Sequence, residues 1–292
     1  MILKVLVCLE NAIDPTTVAV NAVTGAIELD RVLPTMNPCD RAGLEWVSSI
    51  VNRYPDDVAA AAVSVGGSEA NGLLREAYSQ GVKDLHRIAD IRGDPLGPSF
   101  EGGIKIGNLL AQATRNEGAQ LVVTGERGAL WGSGMVPAVM AKALHWPYLP
   151  DIVKVEEFYP GTGAVVRREL KGGAWERWKI DFPAVLGFKS LERPVPVVEF
   201  GRWVEAATVP IPVSAGALVT GPSLTVRWSA PSPRAKDITH PDYKADVWTR
   251  VDQIVAGDTP RKNGKVVTGD ADMLAQSLIS YLIDRNYISE GI

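Results

Sequence analysis

The sequence predicts an α/β protein built on a mostly parallel, doubly wound sheet. Three observations carry that prediction. Apolar runs alternate with helix-like stretches through the first half, turn-forming clusters separate them, and 292 residues at 46% hydrophobic content are enough to bury a large core. Leu3 to Leu9 reads as the first strand, and Ala42 to Asn52 as the first helix. Val58 to Val65 and Asp84 to Ile88 are the next strands, with a helix over Glu69 to Gln80 between them. The helix over Gly103 to Asn116 places Ile106, Leu109, Leu110 and Ala113 on one face at i, i+3, i+4, i+7 spacing, and Gln120 to Thr124 follows as a fourth strand. In such sheets ligands sit beyond the carboxyl ends of the strands, where helix N-termini offer free N–H groups and a positive dipole end.

The stretch from 151 to 182 has a different texture. Ile152 to Val155, Val165 to Leu170 and Trp175 to Ile180 read as short strands joined by turns at Pro160–Gly163 and Lys171–Gly173, a small antiparallel flap on the main sheet. Ala184 to Phe188 then returns the chain to the core. The domain division expected is 1–192 for the nucleotide-fold domain with its flap, and 193–292 for a C-terminal extended arm ending in a helix. From Glu192 onward the composition turns to Pro, Val and Ala, with Pro194, Pro196, Pro210, Pro212, Pro222, Pro231 and Pro233, which favours extended, irregular chain. Asp270 to Asn286 is the final helix, with Leu274, Leu278 and Leu282 in register and Asp270 or Asp272 at its N-terminal turn. Such an arm suits a subunit that embraces a partner; packing on its own domain is the alternative.

Composition excludes several classes of function. A formal charge of −4, from 30 Lys+Arg against 34 Asp+Glu, leaves no electrostatic footprint for nucleic acid. The apolar start Met1 to Leu9 is too short to span a bilayer and lacks the pattern of a signal peptide, so the expectation is a cytoplasmic protein without membrane insertion. Cys8 and Cys39 are too few for a disulfide framework, and His86, His145 and His240 lie far apart, which gives no metal spacing. No Walker loop, nucleophile elbow or paired-His helix occurs, so the chain is not expected to be an enzyme.

Small-residue loops at strand ends are the candidate ligand contacts. One is Ser64-Val65-Gly66-Gly67-Ser68, and the other runs from Thr124 through Glu126, Arg127, Gly128, Ala129, Leu130, Trp131, Gly132, Ser133, Gly134, Met135 and Val136 to Pro137. Glycine there lets backbone approach a ligand, and successive N–H groups form an anion nest. Ser133 to Val136 would be the first turn of a helix running to Leu144, with Pro137 tolerated near its start. From these residues alone, nucleotide binding and a plain structural turn both stand.

Four segments, in order, resemble the beta-subunit family of electron-transfer flavoproteins. They are the opening strand leading into Asn11-Ala12-Ile13-Asp14, Met36-Asn37-Pro38-Cys39-Asp40, Leu121 to Gly125 followed by Leu144-His145-Trp146-Pro147, and Val165 to Gly173 with Phe182-Pro183-Ala184-Val185. The resemblance spans most of the first 200 residues. It implies a Rossmann-like, adenine-nucleotide-binding fold and a heterodimer in which an alpha-type subunit holds most of the FAD and this subunit caps it. An electron-donating dehydrogenase would dock on the pair. The cofactor sites it implies here are Cys8, Asn37, Pro38, Cys39, Asp40, Val65, Gly66, Glu126, Arg127, Gly128, Ala129, Trp131, Gly132, Ser133, Gly134, Met135 and Val136. Cys8 and Val65 would offer backbone groups to adenine, Asn37 would bond the loop or the ribose, and Ser133 to Val136 would meet the phosphate.

Departures from the family pattern bear on what that pocket holds. Leu130 and Trp131 stand where the family usually carries acidic residues, and Met135 and Pro137 stand where it carries Gln and Gly. AMP is the first expectation, an empty pocket the second and a second FAD the third. The stretch matching the family's docking loop holds Glu199, Phe200 and Trp203 without a lysine run. The donor implied is thus not an ordinary acyl-CoA dehydrogenase; the two aromatics are either interface anchors or buried side chains. Lys236 to Gly264 has no counterpart in the family. A stand-alone adenine-nucleotide-binding regulatory protein of the stress-protein type is the alternative reading of the whole chain.

Overall fold

The computed structural model describes residues 2–19, 21, 28, 32–89, 99–129, 132–190, 197–216, 242–256 and 266–285. They fall in two compact units, Met1–Trp228 and Ser229–Ile292. The first unit runs β1 (Leu3–Cys8), β2 (Asn11–Ile13), β3 (Pro34–Met36), α1 (Pro38–Arg53), β4 (Val58–Gly66), α2 (Asn71–Ser79), β5 (Asp84–Ala89), α3 (Ser99–Glu117), β6 (Leu121–Gly125) and α4 (Met135–Leu144). It continues through β7 (Tyr148–Tyr159), β8 (Gly163–Glu169), β9 (Trp175–Asp181), β10 (Ala184–Phe188), α5 (Phe200–Thr208) and β11 (Val213–Ala215). The second unit contributes α6 (Val247–Ala256) and α7 (Ala271–Asp284).

A nine-stranded sheet in the order β11-β5-β4-β1-β6-β10-β7-β8-β9 organises the first unit. From β11 to β7 neighbouring strands pair in parallel, and β8 and β9 are antiparallel, so the predicted α/β class is what forms. Alternation along the strands feeds two cores. Val5 and Val7 of β1 and Ala60 and Ala62 of β4 pack with Leu44 and Val47 of α1 and Leu74 of α2, whereas Leu6, Ala61 and Val63 point to the opposite core with Leu110 of α3 and Met140 of α4. Because both faces are covered, β1, β4, β6 and β10 are mostly apolar, the pattern of a buried parallel sheet, with Lys4, Ser64 and Thr124 as polar exceptions.

Several boundaries differ from the sequence expectation for physical reasons. α1 begins at Pro38, not Ala42, because Asn37 caps it: its side-chain oxygen accepts the Cys39 N–H at 3.1 Å and Pro38 occupies the first helical position. The expected antiparallel flap does form on the main sheet. β7 to β9 extend the main sheet itself, and Ile152, Ala164 and Val166 join the α1-side core. Trp46 of α1 stacks on Phe188 at 5.5 Å and meets Phe158 edge-on at 5.6 Å, which fastens this extension to the helix layer.

The chain after residue 192 also departs from an extended arm. α5 packs on α2, where the Tyr78 hydroxyl donates to Glu205 at 2.6 Å, and β11 pairs with β5 in parallel at the sheet edge. The division between units thus falls after Trp228. α7 forms as expected, with Asp270 as its cap, accepting the Met273 N–H at 2.8 Å. Pro194, Pro196, Pro222, Pro231, Pro233 and His240 lie outside the described residues, as does much of 236–264.

Candidate functional site

β1 lies between β4 and β6, and the chain leaves these strands in opposite directions: from β1 toward β4, and from β6 toward the β10 and β7 side. That reversal opens a crevice at the carboxyl ends of β1 and β6, the topological switch point at which open α/β sheets take ligands. The sequence-derived candidates gather here. Cys8 ends β1, Asn37 to Asp40 start α1, Val65 and Gly66 end β4, and Glu126 to Ala129 follow β6.

The floor of the crevice is Asp40, which is buried. One carboxylate oxygen accepts the Glu10 N–H at 2.6 Å and the other accepts the Gly125 N–H, so a single side chain ties the ends of β1 and β6 together. Asp40 therefore serves backbone, with both oxygens committed. The close approach requires glycine at 125, where an added Cβ would stand 2.6 Å from the Asp40 carboxylate and 2.7 Å from the Cys39 Cβ. Burial, with the Glu10 charge beside it, pushes the Asp40 carboxyl up to about 8.

Asn37 is buried as well, and its amide bonds the loop after β6. Its Nδ2 donates to the Arg127 carbonyl at 2.8 Å while its Oδ1 caps α1. Glu126, also buried, is held by its own N–H on the Phe188 carbonyl at 2.9 Å and pairs with Arg127 at 2.7 Å. Burial and a hydrogen bond to the Asp151 carboxyl, which stands on a left-handed backbone at φ 59°, push Glu126 up to about 7. Cys8 and Cys39 are both buried, and burial raises both thiols.

At the far side of the crevice α4 starts later than expected. Ser133 and Gly134 precede the helix; Gly134 is its N-cap, at φ 61° and ψ 12°, with no side-chain cap, and no acidic residue follows in the first turn. Gly132 is also left-handed, at φ 60°. The Ser133 hydroxyl, on an exposed residue, lies 3.5 Å from the Met135 N–H. This start, with no carboxylate in its own first turn, suits a phosphate group. Leu130 and Trp131 lie outside the described residues.

The remaining candidates are on α5. Phe200 and Trp203 are 76% and 61% exposed, with Val204 beside them, so burial against the chain's own sheet is not their fate. Glu199 precedes the helix without capping it and stands 3.8 Å from Arg202. One residue that the sequence reading missed is Glu10, whose carboxylate accepts the Ala129 N–H at 3.0 Å. An acid directly after a strand's carboxyl end was its available signal. Of the histidines, His86 pairs with Glu117 at 3.0 Å and His145 ends α4 at φ 60°. Among the described residues no group of His, Cys, Asp and Glu could hold a metal ion, and no helix is long and apolar enough to cross a membrane.

Comparison with known proteins gives this geometry a family. Residues 24–190, more than half of the chain, match the electron transfer flavoprotein domain. The chain is 27% identical over 163 residues to the electron transfer flavoprotein subunit beta of Methylophilus methylotrophus, covering 55% of this chain and 59% of that one. To the subunit beta of Bacillus subtilis it is 28% identical over 163 residues, covering 56% and 60%. To that of Chromohalobacter salexigens it is 36% identical over 118 residues, covering 40% of each. The matches to the first two of these relatives thus span 59% and 60% of their length. The family match takes in α1, β4, β6 and the whole 126–136 loop, the elements that build most of the crevice. The chain belongs to the electron transfer flavoprotein family, as a divergent member of its beta-subunit branch.

Proposed function

We propose that this chain is the beta-type subunit of a heterodimeric electron-transfer flavoprotein. It caps an FAD held mainly by an alpha-type subunit and presents a docking surface to an electron-donating dehydrogenase. Its role is that of a carrier subunit rather than an enzyme: the flavin supplies the redox chemistry, and this chain binds, orients and excludes water. The observation that carries the reading is the start of α4 at the switch-point crevice, where a left-handed Gly134, the Ser133 hydroxyl and an uncapped, acid-free first turn fit the phosphate of an adenine nucleotide. AMP is the occupant that this geometry favours. The two left-handed glycines give the backbone room to approach the phosphate, and the N–H groups stand in for the polar side chains that Met135 and Pro137 do not supply.

Docking is assigned to α5. Phe200, Trp203 and Val204 form an exposed apolar face flanked by Glu199, Arg202 and Glu205, with mixed rather than basic charge. A donor that recognises this surface differs from an ordinary acyl-CoA dehydrogenase. A stand-alone adenine-nucleotide-binding regulatory protein is the second reading; it is favoured by the return of α5 and β11 to the sheet, which gives part of the tail a place within the chain itself.

Co-purification with an alpha-type subunit, followed by quantification of released FAD and AMP, separates these readings. One FAD and one AMP per heterodimer is the expected result. Two FAD without AMP would place a second flavin in the crevice, and one FAD alone would leave the crevice without a nucleotide. A folded, flavin-free monomer that binds adenine nucleotide would overturn the carrier reading in favour of the regulatory one.

A further inference from the structure

Glu10 sits just beyond β1 and is fixed through its backbone at two points. Its N–H donates to Asp40 at 2.6 Å, and its carbonyl accepts the Asn37 N–H at 3.3 Å. From that base the side chain reaches the loop that follows β6. One carboxylate oxygen accepts the Ala129 N–H at 3.0 Å, and the Asn37 amide bonds the same carboxylate. Loop backbone is pressed close against it: a Cβ added at Gly128 would stand 2.8 Å from Glu10 Oε1. The Gly128 carbonyl in turn accepts the Gly132 N–H at 3.0 Å, and Asn37 holds the Arg127 carbonyl at 2.8 Å. Contacts therefore run without a break from the end of β1 to Gly132, two residues before the cap of α4. Glu10 is exposed whereas Asp40 and Asn37 are buried, so Glu10 is the member of this chain of contacts that can be changed without opening the core.

We propose that Glu10 is the positioning residue of the nucleotide site, holding Arg127 to Ala129 at the height from which Ser133 and the first turn of α4 meet the ligand's phosphate. It touches the loop, not the ligand, and acts through the Ala129 N–H. The inference rests on the nucleotide reading given above.

The test compares Glu10→Ala, which removes both acceptors, with Glu10→Gln, which keeps one carbonyl oxygen for the Ala129 N–H, in the complex with the alpha-type subunit. AMP release and amide hydrogen exchange are measured together. Glu10→Ala is expected to release AMP about tenfold faster and to exchange the amides of Ala129 and Gly132 several-fold faster, with β1 and α1 unchanged. Glu10→Gln should fall between that variant and the parent. An AMP-loaded complex in which Glu10→Ala releases AMP at the parent rate overturns the positioning role. Exchange that rises equally across β1 and α1 overturns it too, since that marks general loosening. A parent complex that neither carries nor takes up AMP sinks the nucleotide reading itself, an outcome visible before any variant is made.

Discussion

At the scale of single residues, the crevice is held by a few committed polar groups, and their removal has predictable costs. Gly125→Ala drives a Cβ into the Asp40 carboxylate and Cys39, and overpacking of this kind is expected to destabilise by about 1–3 kcal/mol in chemical denaturation. Asp40→Asn turns one acceptor into a donor facing a backbone N–H, again at a cost of about 1–3 kcal/mol. Asp40 also sets a pH dependence. Its folded pKa is raised from 3.8 to about 8, so between those values the folded state binds more protons than the unfolded state. Its stabilising contribution is therefore complete below the unfolded value and is lost as pH rises through about 8. Glu126, raised to about 7, acts in the same direction. Thermal unfolding should show a midpoint that falls from pH 6 to pH 9, with a shallower fall in Asp40→Asn; a flat profile in the parent would show that the buried carboxylate is stabilised in its charged form. Asn37 and Asp40 were singled out in the sequence by the family resemblance, and Glu126 by its place in the loop after a strand. Their roles were not legible, because whether a buried acid faces a ligand or its own backbone depends on how closely β6 and α1 approach. Glu10 escaped notice for the same reason: its partner, Ala129, is 119 positions away in the chain.

Among the elements, α4 and α5 carry the functional argument. Gly134→Ala forces a side chain into a left-handed cap and is expected to cost about 1–2 kcal/mol, together with lower nucleotide retention in the purified complex. Trp203→Ala, on an exposed helix face, should leave stability within about 0.5 kcal/mol of the parent. Electron transfer from the donor should nevertheless fall at least tenfold, measured as donor-dependent flavin reduction; an unchanged rate would remove α5 from the docking surface. Strands β1, β4 and β6 were readable to within a residue or two, since burial on both faces leaves largely apolar runs that turns delimit; β5, with Asp84, His86 and Arg87, was read as closely without such a run. The helix in 200–208 was hidden because the neighbouring prolines dominate the composition, and among α5's residues Ala206 alone is buried. β11 was hidden because three residues carry no pattern; its place comes from the free edge of β5.

For the whole molecule, the sheet-bearing unit should stand by itself as a folding unit. A chain ending at Trp228 is expected to unfold in one cooperative transition by calorimetry, and loss of its far-UV signal would show that the sheet depends on residues 229–292. The fold class was legible because alternating strand and helix patterns leave little choice of architecture, but strand order was not. No local pattern says that β10 slots between β6 and β7. That insertion has a consequence for biosynthesis. β7, β8 and β9 all leave the ribosome before the strand that will separate them from β6, so β6 waits with one edge unsatisfied while the meander takes shape. Because the Glu126 N–H finds its acceptor on Phe188, the last residue of β10, the crevice acquires its wall only when that strand docks. A nascent chain stalled before Ala184 is thus one that can neither complete the crevice nor hide its strand edge, and closure of that wall becomes a late step of synthesis.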